Sequence, residues 1–505
     1  MRLKVSLVMF LGILCAAGGW ASWIPLAEDV QSTSPATLEF HSATATETLM
    51  NVKVPGIEVQ EQEEKGKVFS EISIPDAGVL SVPGSPLVPA IRKNIIVPRD
   101  AQVSLRVNVS SDISLKDYSV IPAQPSYKRD EVKPAFQLNQ KVYSHNAFYP
   151  SQVAQITDDG FIRDFRFITV TITPVQINPA TGELRIATDL QVDVISEGGS
   201  DQLVKSVFPA FRPVYERNLD NFGVMGIGTR TDAEPMLIIC HDGLQADMAP
   251  YIEWKTKRGI DVTMVSSTET GTTASALQSY IQNVWATWNP QPVYIVLVGD
   301  APQLNPLTGI GSCASDSMFT LLEGGDLVPD VLISRFSAAD SGELNPQLAK
   351  VLTYEQNPPI GEWFNKFAGL ASSEGSGPSD EEYSQEIEAR FMVHNPDSVG
   401  DRIYQSMGHG PAEISAAANE GRFWISYFGH GSGTSWSNPN FSNSNVDSLT
   451  NGFMTPFISD VSCLNGGFDS GSDCFAERWM KGDDGAVSMF SSSTSCSWHE
   501  PATMS

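Results

Sequence analysis

The sequence predicts an α/β fold, a doubly wound and mostly parallel sheet, preceded by an all-β domain of sandwich type. Three observations carry this reading. From residue 236 onward, short apolar runs rich in β-branched and aromatic residues alternate with helix-period segments, the pattern of strands buried on both faces and joined by crossover helices. Between residues 67 and 200 the runs instead alternate apolar with polar side chains and are broken by Pro-, Gly- and Asn-rich turns, as antiparallel sheets packed on one face require. Two of the late apolar runs stop abruptly at reactive side chains, His430 and Cys463, and open α/β sheets carry their chemistry just beyond the carboxyl ends of their strands.

The elements follow in order. Arg2 and Lys4 precede an apolar run ending at Cys15, and Gly19-Trp20-Ala21 has a small-x-small cleavage pattern, so residues 1–21 read as a secretory signal peptide. That run is shorter than the ~20 residues needed to span a bilayer, and no other stretch reads as a transmembrane anchor. Residues 22–66, rich in Thr, Ser, Glu and Ala with little periodicity, read as a mobile lead-in. The β domain, 67–230, draws its strands from Val68-Phe-Ser-Glu-Ile-Ser-Ile, Val103-Ser-Leu-Arg-Val-Asn-Val, Phe165-Arg-Phe-Ile-Thr-Val-Thr-Ile-Thr and Leu190-Gln-Val-Asp-Val-Ile, with Asn178-Pro-Ala-Thr-Gly as a turn. Arg212, Arg217 and Arg230 lie in a polar connecting stretch open to proteolysis. Arg230 is the first candidate for cleavage, because the next domain's first strand begins shortly after it. In 231–505 strands are predicted at 236–240, 262–265, 293–299, 331–333, 367–371, 403–404, 423–428, 457–461 and 486–490. Helices are predicted at 249–257 and at 274–285, the latter with Leu277, Ile281, Val284 and Trp285 on one face. No fixed-period repeat is visible.

Composition narrows the function. A chain of 505 residues with 41% hydrophobic and 18% charged side chains is ordinarily globular and long enough for more than one core. A formal charge of -27 excludes a nucleic-acid partner, because no basic surface can be assembled to neutralise phosphates. The acidity reads as solubility first and cation binding second. Of six cysteines, Cys15 leaves with the signal peptide, and an odd number cannot all pair. Cys240 closes an apolar run and reads as a core thiol. Cys313, Cys474 and Cys496 are candidates for one bridge of undetermined pairing.

His430 and Cys463 form a candidate nucleophile–base pair. Their separation leaves room for the crossover of a parallel pair, about a dozen residues or more, so imidazole and thiol would emerge together from neighbouring strands. Gly429 and Gly431 flank the histidine where the backbone turns and approaches a substrate. The backbone N–H groups of Gly431 and Cys463 are the candidate oxyanion hole. Gly408-His409-Gly410 repeats the histidine tripeptide, but it precedes Pro411 in a loop leading into a helix and does not close an apolar strand. Glu374, in the Ser-Ser-Glu-Gly turn after the strand at 367–371, reads either as the acceptor of the His430 Nδ1–H or as a solvated helix-start acid. The chemistry needs no metal, and His-Glu-x-x-His and Gly-x-Ser-x-Gly are both absent.

Tyr427-Phe-Gly-His-Gly-Ser, Phe457-Ile-Ser-Asp-Val-Ser-Cys-Leu-Asn-Gly-Gly-Phe and Cys474-Phe-Ala-Glu resemble the catalytic histidine and cysteine motifs of the gingipain family of cysteine peptidases. The likeness extends through Val296-Leu-Val-Gly-Asp, Ser334-Arg-Phe-Ser and Ala371-Ser-Ser-Glu-Gly-Ser-Gly-Pro-Ser, and the region before about residue 230 is similar to the family's propeptide. The resemblance implies a caspase-like fold and a secreted cysteine endopeptidase made as a zymogen. It also implies a propeptide that blocks its own active cleft, protein or peptide substrates, and a preference for Arg or Lys before the scissile bond. It assigns Glu374 to orienting the histidine and Glu386 to the basic side chain, with Trp498 as a pocket wall. Structural calcium in acidic loops such as those of Asp316 and Asp326 is a further expectation. Family members continue for several more elements, so 231–505 is expected to be a C-terminally truncated peptidase domain. The reading from another class is a secreted binding or adhesion protein with an inactive peptidase-like domain.

Overall fold

The computed structural model describes residues 21–27, 30, 32–127, 132–199, 204–375 and 378–497. The expected signal peptide, but for its last residue, lies outside the described residues, as does Trp498. Among the described residues no helix is long and apolar enough to cross a membrane.

The N-terminal β region is a sandwich, and it begins earlier than its composition suggests. One antiparallel sheet orders Gly78–Leu80, Val88–Val97, Phe165–Ile172 and Ala154–Ile162; another contains Val175–Asn178, Glu183–Glu197, Glu47–Lys53, Thr37–Ala43 and, paired to Glu183–Glu197, the strand Gln102–Leu115. Ile95, Ile168 and Val170 of the first meet Met50, Val52 and Val192 of the second in a shared buried core. Residues 22–66 are therefore not a mobile lead-in. They contribute Ser22–Pro25, Thr37–Ala43, Glu47–Lys53 and Gly56–Glu64, and Met50, Val52 and Ile57 are completely buried. Polar residues such as Thr37, Glu39 and Glu63 take outward positions of these strands and mask the alternation when composition is read alone.

The C-terminal half contains two wholly parallel sheets where one continuous doubly wound series was expected. The first is built from β1 (Glu234–Cys240), β2 (Ile260–Ser266), β3 (Tyr294–Val298) and β4 (Leu332–Phe336), in the order β2-β1-β3-β4. Its crossover helices are α1 (Ala249–Lys257) and α2 (Ala274–Thr287), and α2 buries Leu277, Ile281, Val284 and Trp285 as its spacing predicts. After α3 (Ser341–Gln356) the chain passes Pro358-Pro359, which stops the helix, and opens a new sheet. That sheet consists of β5 (Lys366–Ala371), β6 (Val399–Tyr404), β7 (Trp424–Phe428), β8 (Phe457–Val461) and β9 (Ser488–Ser491), in the order β6-β5-β7-β8-β9. Its helices are α4 (Asp380–His394), α5 (Pro411–Glu420) and α6 (Phe475–Lys481). The strand order reverses between β5 and β7, which makes the crevice over their carboxyl ends the topological switch point.

The sandwich docks on the first parallel sheet through the hairpin turn at Arg163. Its guanidinium is buried and donates to the carbonyl oxygens of Pro292 (2.6 Å), Gln291 (3.0 Å) and Asp330 (3.1 Å). Ile162, Phe165 and Phe167 join Phe211, Tyr215 and Val293 in one apolar cluster.

Candidate active site

Three adjacent strands of the second sheet each deliver one functional residue. β7 and β8 pair in parallel with Phe428 opposite Val461, and β5 pairs with β7 with Ala371 opposite Phe428. His430 stands two residues beyond Phe428, Cys463 two beyond Val461 and Glu374 three beyond Ala371. Imidazole and thiol thus leave neighbouring strands at the same level, with the carboxylate on the other side of the histidine. Their loops also touch: a Cβ placed on Gly431 would lie 2.2 Å from the Cys463 carbonyl oxygen. Glycine at 431 is therefore a packing requirement.

Glu374 Oε2 lies 2.8 Å from His430 Nε2, a correction to the expected nitrogen. The carboxylate therefore holds Nε2 of the imidazole. The reach is set by the turn. Asp380 N–H donates to the Glu374 carbonyl oxygen, and the Ser372 hydroxyl, itself donating to Asp380 Oδ2 at 2.6 Å, accepts from Glu374 N–H. Gly375 permits the turn with φ +103°, and a Cβ there would lie 2.9 Å from Ser379 Cα. Side-chain exposures of 33% for His430 and 42% for Glu374 leave the pair open to a substrate, whereas Cys463 is buried at 7%.

The loop of Cys463 is a tight elbow. Leu464 adopts φ +66°, an uncommon conformation for a branched residue, and Asn465 N–H donates to the Cys463 carbonyl oxygen at 2.8 Å. Asn465 is wholly buried and joins the two reactive loops. Its Oδ1 accepts from Gly433 N–H, and its amide donates to Ser462 Oγ and Asp460 Oδ2. Asp460 also accepts from Trp436 Nε1 at 3.0 Å and Ser491 Oγ at 2.8 Å, and burial raises its carboxyl pKa. Behind the histidine, the buried Tyr427 hydroxyl donates toward the His430 carbonyl oxygen at 3.0 Å. Trp436 stacks on Tyr427 with centroids 4.8 Å apart.

Of the two candidate oxyanion donors, the Gly431 N–H is turned away from its own β-bridge. Gly431 bridges Trp436 through bonds made by its neighbours, Ser437 N–H to the His430 oxygen and Ser432 N–H to the Ser435 oxygen. This is the antiparallel arrangement in which the bridging residues' own N–H groups turn away from the ladder.

Residues 230–504 match the model of peptidase family C25, and residues 33–213 match the corresponding propeptide C25 model. The chain belongs to peptidase family C25. Gingipain R1 of Porphyromonas gingivalis is 30% identical over 443 residues, 84% of this chain and 44% of that protein. The chain therefore spans less than half the length of this relative. The solved structure of the Arg-specific cysteine proteinase gingipain R superposes with a TM-score of 0.51 at 27% identity, over 54% of this chain and 65% of that one. A complex of the P. gingivalis RgpB pro- and mature domains gives 0.51 at 28% identity, over 53% and 66%. With these relatives the family-level fold is a caspase-like α/β domain behind a β-rich propeptide.

Within this C25 domain some expected residues stand elsewhere. Glu386 lies off the buried face of α4, which is formed by Asp380, Tyr383, Ser384 and Ile387, and pairs with Arg390 on the same helix. Asp380, on the buried face, is the clamp on the Glu374 turn. His409 follows the edge strand β6 in the loop leading to α5, away from the switch point. Asp316 gives both carboxylate oxygens to Arg335 at 2.7 Å, and Asp326 accepts from the N–H groups of Phe161 and Val328. Neither acid belongs to a group of three or more His, Cys, Asp or Glu side chains among the described residues. Asp460 and Asn465 were missed, although a signal existed: an aspartate inside the apolar run Phe457-Ile-Ser-Asp-Val demands buried partners.

Proposed function

We propose that the chain is a secreted cysteine endopeptidase, made as a zymogen, that hydrolyses peptide bonds through Cys463 and His430. The observation that carries this reading is the matched emergence of His430 and Cys463 from the paired ends of β7 and β8. Cys463, as thiolate, attacks the substrate carbonyl, and the developing oxyanion is met by the N–H groups of Gly431 and Cys463. His430 passes its proton to the leaving amine, and Glu374 on Nε2 stabilises the imidazolium and fixes the ring. Water, deprotonated by the same imidazole, then hydrolyses the thioester.

A preference for Arg or Lys before the scissile bond is part of the proposal. It is supported by the likeness to an Arg-specific proteinase and by a formal charge of -27, which draws cationic peptides toward the surface. Activation is proposed at Arg230, whose neighbours Thr229, Thr231 and Asp232 are exposed.

The test is Cys463→Ala in the full chain. Loss of hydrolysis of Arg- and Lys-containing peptides by about 10⁴-fold or more is expected for removal of a covalent nucleophile. Unchanged hydrolysis, or none in the parent protein after cleavage at Arg230, would overturn the enzyme reading and leave the binding-protein alternative.

A further inference from the structure

The thiol assigned as nucleophile has another cysteine beside it. Cys496, in the loop after β9, donates its backbone N–H to Cys463 Sγ at 3.3 Å, and its own Sγ lies 3.8 Å from Cys463 Sγ. The two are brought together by the tertiary fold: Leu464 N–H donates to the Thr494 carbonyl oxygen and Gly466 N–H to that of Ser492, which stitches the Cys463 elbow to the β9 loop. Cys496 is partly exposed, so a small oxidant can reach the pair. Of the three other described thiols, Cys313 is partly exposed and contacts the Ile310 carbonyl oxygen at 3.3 Å. Cys240 and Cys474 are buried, and burial pushes each thiol up to about 12, which suppresses the thiolate that redox chemistry requires.

We propose that Cys496 is the resolving partner of Cys463, and that the two form a reversible disulfide that takes the nucleophile out of action under oxidising conditions and protects it from irreversible oxidation. The proposal rests on Cys463 being the reactive thiol, as argued above, and goes beyond it by assigning a modification site. With hydrogen peroxide as the oxidant, the Cys463 thiolate attacks one peroxide oxygen, the O–O bond breaks, and the sulfenic acid forms with release of hydroxide. The Cys496 thiolate, its proton taken by that hydroxide, attacks the sulfenyl sulfur. The S–S bond forms, the S–O bond breaks, and the departing hydroxide takes up a proton from solvent. Two thiols lose two electrons and two protons, and one peroxide becomes two waters. A van der Waals separation of the sulfurs asks only for side-chain rotation and a small loop movement to reach the ~2.05 Å bond.

The separation also gives selectivity. A sulfenic acid with no thiol at hand proceeds to sulfinic and sulfonic acids, which thiol reductants do not reverse. With Cys496 at 3.8 Å, the intramolecular step competes at a high effective concentration.

The experiment uses the full chain and reads the thiols by mass, independently of peptide hydrolysis. The protein is treated with a modest excess of hydrogen peroxide, digested without reductant, and compared with a sample reduced by dithiothreitol and alkylated. The expected result is a Cys463–Cys496 crosslinked peptide, lighter by two hydrogen atoms than its separate halves, with Cys463 recovered for alkylation after reduction. In Cys496→Ser the crosslink is absent, and after the same treatment at least about tenfold more Cys463 is found as sulfinic or sulfonic acid. Cys463 over-oxidised equally in both proteins, or crosslinked to Cys313 in place of Cys496, would overturn the proposal while leaving the nucleophile assignment intact. If Cys463 in the untreated protein is alkylated no faster than Cys240 or Cys474, the nucleophile assignment and this proposal fall together. A circular dichroism spectrum matching the parent would show that Cys496→Ser has folded.

Discussion

Glu374 illustrates how one hydrogen bond distributes roles within the site. By holding Nε2 of His430, it assigns Nδ1, in the proposed mechanism, to exchanging a proton with sulfur or with the leaving amine. Glu374→Gln keeps the shape of the contact and removes the charge that stabilises the imidazolium. The expected outcome is a fall in kcat of about 10²-fold with little change in KM, read by steady-state hydrolysis of an Arg-containing peptide. That His430, Cys463 and Glu374 stand at strand ends was legible in the sequence, because each follows a recognisable strand by two or three residues. The choice of nitrogen was not, because ring orientation is set by the Tyr427 hydroxyl on the His430 carbonyl and by the clamp of Ser372 and Asp380 on the Glu374 turn. For Glu386, helix spacing shows that an acid is present on α4 but not which face of the helix packs on the sheet.

At the scale of elements, the site depends on two strand ends approaching without obstruction. Gly431→Ala would drive a methyl group into the Cys463 carbonyl oxygen, a backbone atom that cannot rotate away. The loops must separate, the oxyanion donors move apart, and a loss of about 10²-fold or more in kcat/KM is expected, with a urea midpoint lowered by about 1–3 kcal/mol of stability. A second junction is the clasp of α3 on the end of α6. The buried Lys350 ammonium donates to the carbonyl oxygens of Met480 and Gly482 at 2.7 Å and of Asp484 at 3.0 Å. Burial lowers its pKa from 10.5 to about 8. Between these values the unfolded chain binds this proton more tightly than the folded one, so the residue's contribution to stability rises with pH across that window. Urea unfolding of the parent and of Lys350→Met checks it: the parent-minus-variant difference should increase from about pH 8 toward pH 10.5.

At the scale of the molecule, the propeptide region and the peptidase domain are coupled through the first parallel sheet, whereas the reactive residues belong to the second. Arg163 is the central anchor of that contact, since its guanidinium satisfies three peptidase carbonyl groups. Arg163→Ala leaves those oxygens buried without their donor, at a cost of about 3 kcal/mol. The expected result is faster proteolysis at the 204–233 connection and earlier loss of the propeptide, followed as a time course on denaturing gels. An unchanged time course would place the coupling elsewhere, with Arg99 on Glu323, Phe161 on Asp326 and Ala210 on Glu234 among the other polar contacts of the described residues. At this scale the parallel strands divide into two sheets, a division the sequence does not show. Periodicity marks strands and helices, but β4 and β5 read as consecutive strands whether or not they pair.

The amino-acid sequence alone determined the two domain classes, most strands of the parallel sheets, and the histidine and cysteine that close two of them, because burial periodicity and side-chain reactivity are local properties. The tertiary structure alone decided the division into two sheets, the ordered strands within 22–66, the Nε2 contact of Glu374, and the meeting of Cys496 with Cys463. These depend on which distant backbones hydrogen-bond and in what register, and residues 33 positions apart become neighbours only when loop closure is repaid by the packing of the whole sheet.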